Sequence, residues 1–208
     1  MKEKILKAIE ELKANAKKRN FVQSYDLIIN LKEFDTRKPE NRINEEFMLP
    51  NGKGKEAKII IFSDSLKEGD IDAVVINSKK IEELGKNKRE AKKLVRATDF
   101  FLAEPSLMPV VGKNLGQILA PRGKMPKVIS GDIKPLVEKL KKSVKIRIKD
   151  SPVVHCCVGN EEMKNEEIVE NIESVIKHLE SILPKGKNNI KEILLKLTMS
   201  KPVKLEVY

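Results

Sequence analysis

The part of the sequence best suited to chemistry is the fifteen-residue run Gly112–Pro126, GKNLGQILAPRGKMP. It combines three glycines, two prolines and three cations. Glycine removes side-chain bulk and permits positive φ, while proline fixes φ, so the run predicts a stiff loop that holds its backbone close to an anion. Arg122 and Lys124 are candidates for contacts with that anion. A plain surface turn rich in glycine and proline would give the same pattern, and the run alone leaves both open.

A nucleotide phosphate loop would be the most specific form of such a site, and the sequence argues against one. That motif requires G-x-x-x-x-G-K followed by Ser or Thr, whose hydroxyl reaches the metal. Here Lys124 is followed by Met125, and the interval from Gly116 to Gly123 is too long. The glycine–lysine cluster Gly52–Lys55 also lacks the hydroxyl and indicates a basic turn. We therefore predict no nucleotide cofactor.

The two cysteines, Cys156 and Cys157, are adjacent and follow His155. In an extended segment neighbouring side chains point to opposite faces, so the thiols do not easily share a metal or bond to each other. His155 and Cys157 would share a face, but two ligands do not close a zinc site. We predict a structural role for all three residues, no metal site and a reducing compartment.

The charge balance of the 208 residues favours an anionic partner. Lys and Arg outnumber Asp and Glu by 42 to 31, which gives a net charge of +11. Such an excess suits a polyanion, most often nucleic acid. Glu3, Glu10 and Glu11 argue against a signal peptide, and no apolar stretch approaches the roughly 18 residues of a membrane span. We expect a cytoplasmic protein with no membrane partner.

Hydrophobic periodicity changes character along the chain. Near both ends, amphipathic helices over roughly the first 18 residues and over Asn165–Leu183 accompany strands that alternate apolar and polar residues, such as Tyr25–Leu31. In the middle, short apolar runs such as Lys58–Phe62 and Phe100–Ala103 alternate with helical stretches, which is typical of parallel strands covered by helices on both sides. Further strands are predicted at Asn44–Leu49, Ala73–Ile76, Val144–Lys149, Val153–Val158, Ile190–Thr198 and Val203–Val207.

These patterns predict a fold that is α/β in one part and α+β in the other. We expect two domains. Residues 1–56 and 144–208, from both chain ends, form an α+β domain. Residues 57–143 form an inserted, Rossmann-like three-layer α/β domain.

Six segments carry a resemblance to a known family. They are Arg19–Ser24 (RNFVQS), Arg37–Ile43 (RKPENRI), Leu49–Glu56 (LPNGKGKE), Glu83–Arg89 (ELGKNKR), the run Gly112–Pro126 and Lys196–Met199 (KLTM). Together they closely resemble the ribosomal protein L-one family, found on the mobile lateral stalk of the large ribosomal subunit, and most of all its archaeal branch. The likeness covers nearly the whole chain. It implies the same two-domain arrangement, with a hinge near Gly54–Ala57 and near Ser143.

The resemblance also implies a function without catalysis. A member of this family is expected to be a structural constituent of the large subunit that binds its ribosomal RNA and assists release of deacylated tRNA from the exit site. It is also expected to repress translation by binding its own operon mRNA. We expect a ribosome-associated protein, a monomer when free, with no cofactor, no metal and no catalytic residue.

RNA-binding residues follow from the matched motifs. The resemblance assigns this role to Phe21, Ser24, Asp26, Thr198, Met199 and Ser200. Without it, the aromatic ring of Phe21 would be expected in the core. Asp26 stands where relatives often have Glu, and Ser200 and Lys201 stand where the family has Gly and Pro. Polar groups at such positions can read ribose hydroxyls, which distinguish RNA from DNA.

Net charge taken alone would place RNA on the inserted domain. Residues 67–143 carry 17 cations and 10 acids, whereas residues 1–66 and 144–208 are nearly balanced. The resemblance instead implies that the main RNA surface lies on the domain made by both chain ends. The two expectations agree if the seven Glu between Glu161 and Glu180 face away from RNA. The remaining cations then predict a basic rim made by Lys17, Lys18, Arg19, Lys196, Lys201 and Lys204. Arg122 and Lys124 would make secondary RNA backbone contacts or shape the domain interface.

Two other classes of function remain as alternatives. A basic α/β enzyme acting on a phosphorylated substrate would need a nucleophile with its base, or paired carboxylates in a glycine-rich cleft, and the sequence offers neither. An RNA-binding factor outside the ribosome would differ in failing to sediment with large subunits at high salt.

Overall fold

A computed structural model describes residues 2–38, 41–66 and 72–205. These residues form two compact units. The first, which we call the split unit, contains the described residues up to Glu56 and from Lys142 onward. The second, which we call the inserted unit, spans Ala57–Lys141.

Both units contain helices and strands. The helices of the described residues are α1 (Lys2–Asn15), α2 (Ser78–Lys86), α3 (Lys88–Ala97), α4 (Met108–Leu119), α5 (Ile133–Lys141) and α6 (Asn165–Ile182). The strands are β1 (Ser24–Leu31), β2 (Asn44–Met48), β3 (Ile59–Phe62), β4 (Val74–Ile76), β5 (Phe100–Ala103), β6 (Lys127–Val128), β7 (Ser143–Arg147), β8 (Val153–Asn160), β9 (Ile190–Leu197) and β10 (Val203–Leu205).

A four-stranded antiparallel sheet organises the split unit, with strand order β10-β9-β1-β8. Every second residue of β1 is buried, which confirms the predicted alternation. Tyr25, Leu27 and Ile29 form one core with apolar residues of α1 and α6, so these helices cover one face of the sheet. The opposite face, which we call the open face, carries the polar residues of the alternation.

A two-stranded sheet made by β2 and β7 completes the split unit. Ser143, the expected position of the second hinge connection, is the first residue of β7 and pairs with Met48. Ser143 is also buried. The chain passes between units two residues earlier, at Lys141 and Lys142.

A parallel sheet of order β4-β3-β5-β6 forms the centre of the inserted unit. Ile60 and Phe62 of β3 pack in a core with residues of α2, α3 and α4, whereas Ile59 and Ile61 pack with residues of α5. Both faces are therefore covered, and the predicted α/β and α+β fold class is confirmed. The two-residue strand β6 was absent from the prediction because it is exposed and too short to show periodicity.

The prediction of a loop for Gly112–Pro126 is wrong over its first half. Helix α4 continues to Leu119 and contains both Gly112 and Gly116. Its buried residues, Val111, Leu115 and Leu119, are spaced by one helical turn, and this apolar stripe outweighs the low helix propensity of glycine. Only Gly123, at φ 64°, uses the left-handed region within the run.

Two predicted boundaries also differ. Helix α1 ends at Asn15, three residues before the expected position. The last strand is described from Val203 to Leu205, and the remainder of its predicted range lies outside the described residues.

Candidate nucleic-acid interface

Two connections of the split unit lie side by side at one end of the four-stranded sheet. The segment before β1 and the turn after β9 meet at Ser24 and Thr198. The backbone N–H of Ser24 donates to Thr198 Oγ1 at 3.1 Å, and the N–H of Thr198 donates to the Ser24 carbonyl at 3.1 Å. The hydroxyl of Thr198 therefore already holds the two connections together.

Ser200 closes the turn that follows β9. Its hydroxyl accepts a hydrogen bond from the Leu197 N–H at 2.9 Å, and its own N–H donates to the Leu197 carbonyl at 3.1 Å. Ser200 is not among the described residues with positive φ. The turn therefore forms with serine at this position without positive φ, and the hydroxyl supplies a hydrogen bond that glycine could not make.

Gln23 is a residue that the sequence analysis missed. Its side chain is 2% exposed, and its Oε1 accepts a hydrogen bond from the Met199 N–H at 3.1 Å. Its Nε2 donates to Glu161 Oε1 at 3.0 Å, while its backbone N–H donates to Glu161 Oε2 at 2.9 Å. No local signal marks Gln23, because both partners lie more than 130 residues away in sequence.

Two large apolar side chains project from this hydrogen-bonded frame. Phe21 is 51% exposed and Met199 is 60% exposed. Phe21 lines a shallow groove of about 480 Å³ together with Lys18, Arg19 and Glu161. Rings and thioethers this exposed are free to contact a ligand, and a ring at such a position can stack on a base.

The open face adds charged groups next to this frame. Asp26 pairs in register with Lys196 of β9 and with Cys157 of β8, and a β-bulge lies between Tyr25 and Asp26. Burial raises the pKa of Asp26 above its ordinary value, although the charges of Lys196 and His155 oppose this shift. The open face thus presents a carboxylate, an ammonium and an imidazole within one patch.

The predicted basic rim lies largely on the surface, but the predicted segregation of acids is wrong in part. Lys17, Lys18, Arg19, Lys201 and Lys204 are exposed, and Lys196 is half-buried on the open face. Glu161 and Glu162 precede α6 and line the groove beside Phe21, because Glu161 is bound to Gln23. The acids nearest the candidate surface therefore do not face away from it.

The remaining predicted residues, Arg122 and Lys124, belong to the inserted unit. Lys124 Nζ donates to the Val95 carbonyl at 3.0 Å and also to the Thr98 carbonyl, at the C-terminal end of α3. A cation there satisfies carbonyls that the helix leaves unpaired. Lys124 is therefore a structural anchor of its own unit, and Arg122 is half-buried in the turn after α4.

Metal and membrane sites are not found among residues 2–38, 41–66 and 72–205. Within these ranges no three His, Cys, Asp or Glu residues cluster closely enough to hold an ion. Cys156 is buried, and burial raises its pKa to about 12, while the Cys157 pKa is also raised by burial. No helix in the same ranges is long and apolar enough to cross a bilayer.

Known proteins resemble the chain over almost its entire length. The model of the family described as "Ribosomal protein L1p/L10e family" matches residues 12–201. Proteins named "Large ribosomal subunit protein uL1" are 47% identical in Methanothermococcus thermolithotrophicus, over 99% of each chain, and 44% identical in Pyrococcus horikoshii, over 99% of this chain and 96% of the relative. The Methanocaldococcus jannaschii protein of the same name is 48% identical, over 99% of this chain and 96% of the relative. The chain therefore belongs to the ribosomal protein L1p/L10e family, whose members are structural and not enzymatic.

Proposed function

We propose that the protein is a ribosome-associated, cytoplasmic constituent of the large ribosomal subunit and that its split unit binds ribosomal RNA of the lateral stalk. The observation that carries this proposal is the hydrogen-bonded frame of Ser24, Gln23 and Thr198, from which Phe21 and Met199 project. The names of the archaeal relatives support the same assignment.

Each part of the candidate surface has a distinct role in this proposal. The ring of Phe21 stacks on a base or sugar, a contact of roughly 1–3 kcal/mol. The Ser24 hydroxyl donates hydrogen bonds to ribose hydroxyls or accepts them, the Asp26 carboxylate accepts them, and Met199 packs against an irregular minor groove. The basic rim neutralises phosphates without reading sequence. Because internal bonds fix both connections, little ordering entropy is lost on binding.

Replacement of Phe21 by Ala tests this surface. We expect affinity for stalk RNA to fall about fivefold to 150-fold, which corresponds to roughly 1–3 kcal/mol for one stacked ring. Val22→Ala is the matched control, because Val22 is 48% exposed and adjacent but cannot stack. Filter binding at one fixed salt concentration and ribonuclease footprinting measure the effect. Equal losses for both variants would contradict the assigned role of Phe21.

We further propose that the inserted unit moves with the stalk as deacylated tRNA leaves the exit site. Only two connections join the units, at Glu56–Ala57 and Lys141–Lys142, which suits a hinge. Ribosomes depleted of the protein should release deacylated tRNA more slowly, and added protein should restore the rate. An unchanged release rate after depletion would contradict this role.

The third part of the proposal is repression of the protein's own operon by competition. A messenger fold that resembles the stalk RNA would bind the same surface more weakly, so repression begins only when free protein exceeds ribosomal sites. Filter binding of both RNAs should therefore show tighter binding of ribosomal RNA. Equal affinities at the same salt concentration would contradict the mechanism.

A further inference from the structure

Most of the net charge of the inserted unit lies in one short segment at the junction of α2 and α3. Residues 86–96 contain six of the 17 cations of residues 57–141 but only one of their 11 acids. We call these six residues the cationic helix face: Lys86, Lys88, Arg89, Lys92, Lys93 and Arg96. The rest of the inserted unit is nearly neutral, so any attraction of this unit for an anion is concentrated here.

The cationic helix face is presented entirely to solvent. All six side chains are exposed, and none of them makes an ion pair or hydrogen bond through its side chain with another described residue. Lys88, Lys92 and Arg96 follow each other at four-residue intervals on α3, so one cation appears at every helical turn. Ala91 and Val95, on the other side of α3, are buried in the core.

This arrangement works against the stability of α3 itself. Lys88–Lys92 and Lys92–Arg96 are like-charge pairs at a spacing where repulsion destabilises a helix. Lys88 and Arg89 also stand in the first turn, where the helix dipole disfavours cations. An external anion would relieve both effects, whereas the described residues of the inserted unit place no ion-pair partner at these side chains.

The composition of the segment restricts the class of anion. No aromatic residue lies within residues 86–96, and Phe62, Phe100 and Phe101 are buried, so the face offers no ring for unpaired bases. The apolar residues of α3 pack inward, so the helix presents no apolar face to a membrane. A regular row of cations without rings fits the phosphate backbone of a double-stranded nucleic acid.

We propose that the cationic helix face is a second RNA-binding surface, which binds the backbone of an RNA duplex without reading its sequence. It lies on the inserted unit and uses none of the residues of the split-unit surface. This inference goes beyond the proposed function, and either of the two can fail without the other.

The experiment compares two full-length variants of equal net charge. One carries Lys88→Gln, Lys92→Gln and Arg96→Gln, and the control carries Lys79→Gln, Lys113→Gln and Lys134→Gln at exposed positions elsewhere in the inserted unit. Binding to an RNA duplex unrelated to the stalk is measured across a KCl series. We expect the slope of log affinity against log salt to become shallower by about 2 to 3 in the first variant, at roughly 0.7 to 0.9 for each phosphate that is no longer neutralised. In the control the slope should change by less than about 0.9, the value for a single phosphate.

Thermal unfolding of both variants checks the fold, and the first variant should be at least as stable as the wild type because like-charge repulsion is removed. Equal slopes for the two variants would overturn the proposal. Equally tight binding of polyglutamate would also overturn it, in favour of an acidic protein partner. Phe21→Ala should leave the slope on the unrelated duplex unchanged, so a failure of the split-unit surface is distinguished from a failure of this one.

Discussion

Gln23 joins three segments of the split unit that are distant in sequence. It binds the Met199 N–H in the turn after β9 and both carboxylate oxygens of Glu161 before α6. A buried amide with this many partners holds a single conformation, since a missing partner leaves a polar group unsatisfied away from water. The position of Met199 therefore depends on a residue that need not touch RNA.

Gln23→Leu removes the two side-chain bonds, to Glu161 Oε1 and from the Met199 N–H, while it keeps a similar volume and the backbone bond to Glu161 Oε2. We expect the free energy of unfolding to fall by about 1–3 kcal/mol, because the Met199 N–H and Glu161 lose a buried partner. Affinity for stalk RNA should fall as well, since Met199 is no longer held. Gln117→Leu is the control, because Gln117 is exposed on α4 and should change stability by less than about 0.5 kcal/mol. Urea unfolding and filter binding measure both effects, and two variants of equal stability would contradict the role of Gln23.

The carboxyl group of Asp26, on the open face, makes the folding stability depend on pH. Its pKa is raised in the folded protein, so between its ordinary value of 3.8 and the raised value the native state binds more protons than the unfolded state. Stability contributed by this group is therefore present at low pH and is lost as pH rises through that interval. At neutral pH the half-buried carboxylate is destabilising.

Asp26→Asn should therefore be more stable than the wild type at pH 7, and the difference should vanish near pH 3.8 and below. Urea unfolding across a pH series measures it. Asp35→Asn, an exposed carboxylate in the same unit, serves as control. A difference that persists at low pH would show that the gain does not come from the carboxyl group.

At the scale of elements, helix α4 contains two glycines, Gly112 and Gly116, whose positions require neither positive φ nor the absence of a side chain. A Cβ added at Gly112 or Gly116 would meet no atom within 4 Å, and neither residue has positive φ. By contrast, a Cβ at Gly85, in α2, would lie 2.9 Å from Asn114 Cβ. The two helices therefore offer a matched pair of glycines, one in open space and one in close contact.

Gly116→Ala should raise the free energy of unfolding by about 0.5–1 kcal/mol, because alanine loses less backbone entropy than glycine in a helix. Gly85→Ala should lower it, since Asn114 has to move. Chemical denaturation of both variants gives the comparison. If Gly116→Ala were the less stable variant, the space around α4 would not be open as described.

These elements also show what a sequence can and cannot predict. The strand β1 was predictable because buried residues recur at every second position from Tyr25 to Leu31, which is visible in the local sequence. The helix α4 was not, because Gly112, Gly116 and Pro121 are read locally as breakers while the apolar stripe acts through packing. The bonds of Gln23 were not predictable either, since they form only when β1, β8 and β9 are assembled.

At the scale of the whole molecule, our proposals divide the RNA contacts between two units of different architecture. In our proposals the split unit reads shape through Phe21 and its neighbours, while the inserted unit adds a sequence-independent attraction through the cationic helix face. Specific recognition therefore resides in the unit with the lower net charge, because stacking and hydroxyl contacts depend on placement and not on total charge.

A chain in which a short flexible linker replaces residues 57–141 tests this division. The Ala57 N–H donates to the Lys141 carbonyl at 3.2 Å, so the ends of the inserted unit are close enough for a short replacement. We expect this chain to fold around its own core and to bind stalk RNA within about tenfold of the full-length protein, a change of about 1.4 kcal/mol. The salt dependence of its affinity for an unrelated duplex should become weaker but should not vanish, because the basic rim of the split unit remains. Correct folding without stalk-RNA binding would contradict the division.

The central position of β1 in its sheet determines which unit of a newly made chain can fold first. β1 lies between β8 and β9, whose residues follow it by more than 120 positions. During synthesis the inserted unit can therefore fold before β8 and β9, the two strands that pair with β1, have been made. A nascent or prematurely terminated polypeptide that ends before Thr198 lacks the bonds from the turn after β9 to Ser24 and Gln23, so under our proposal it cannot yet bind stalk RNA.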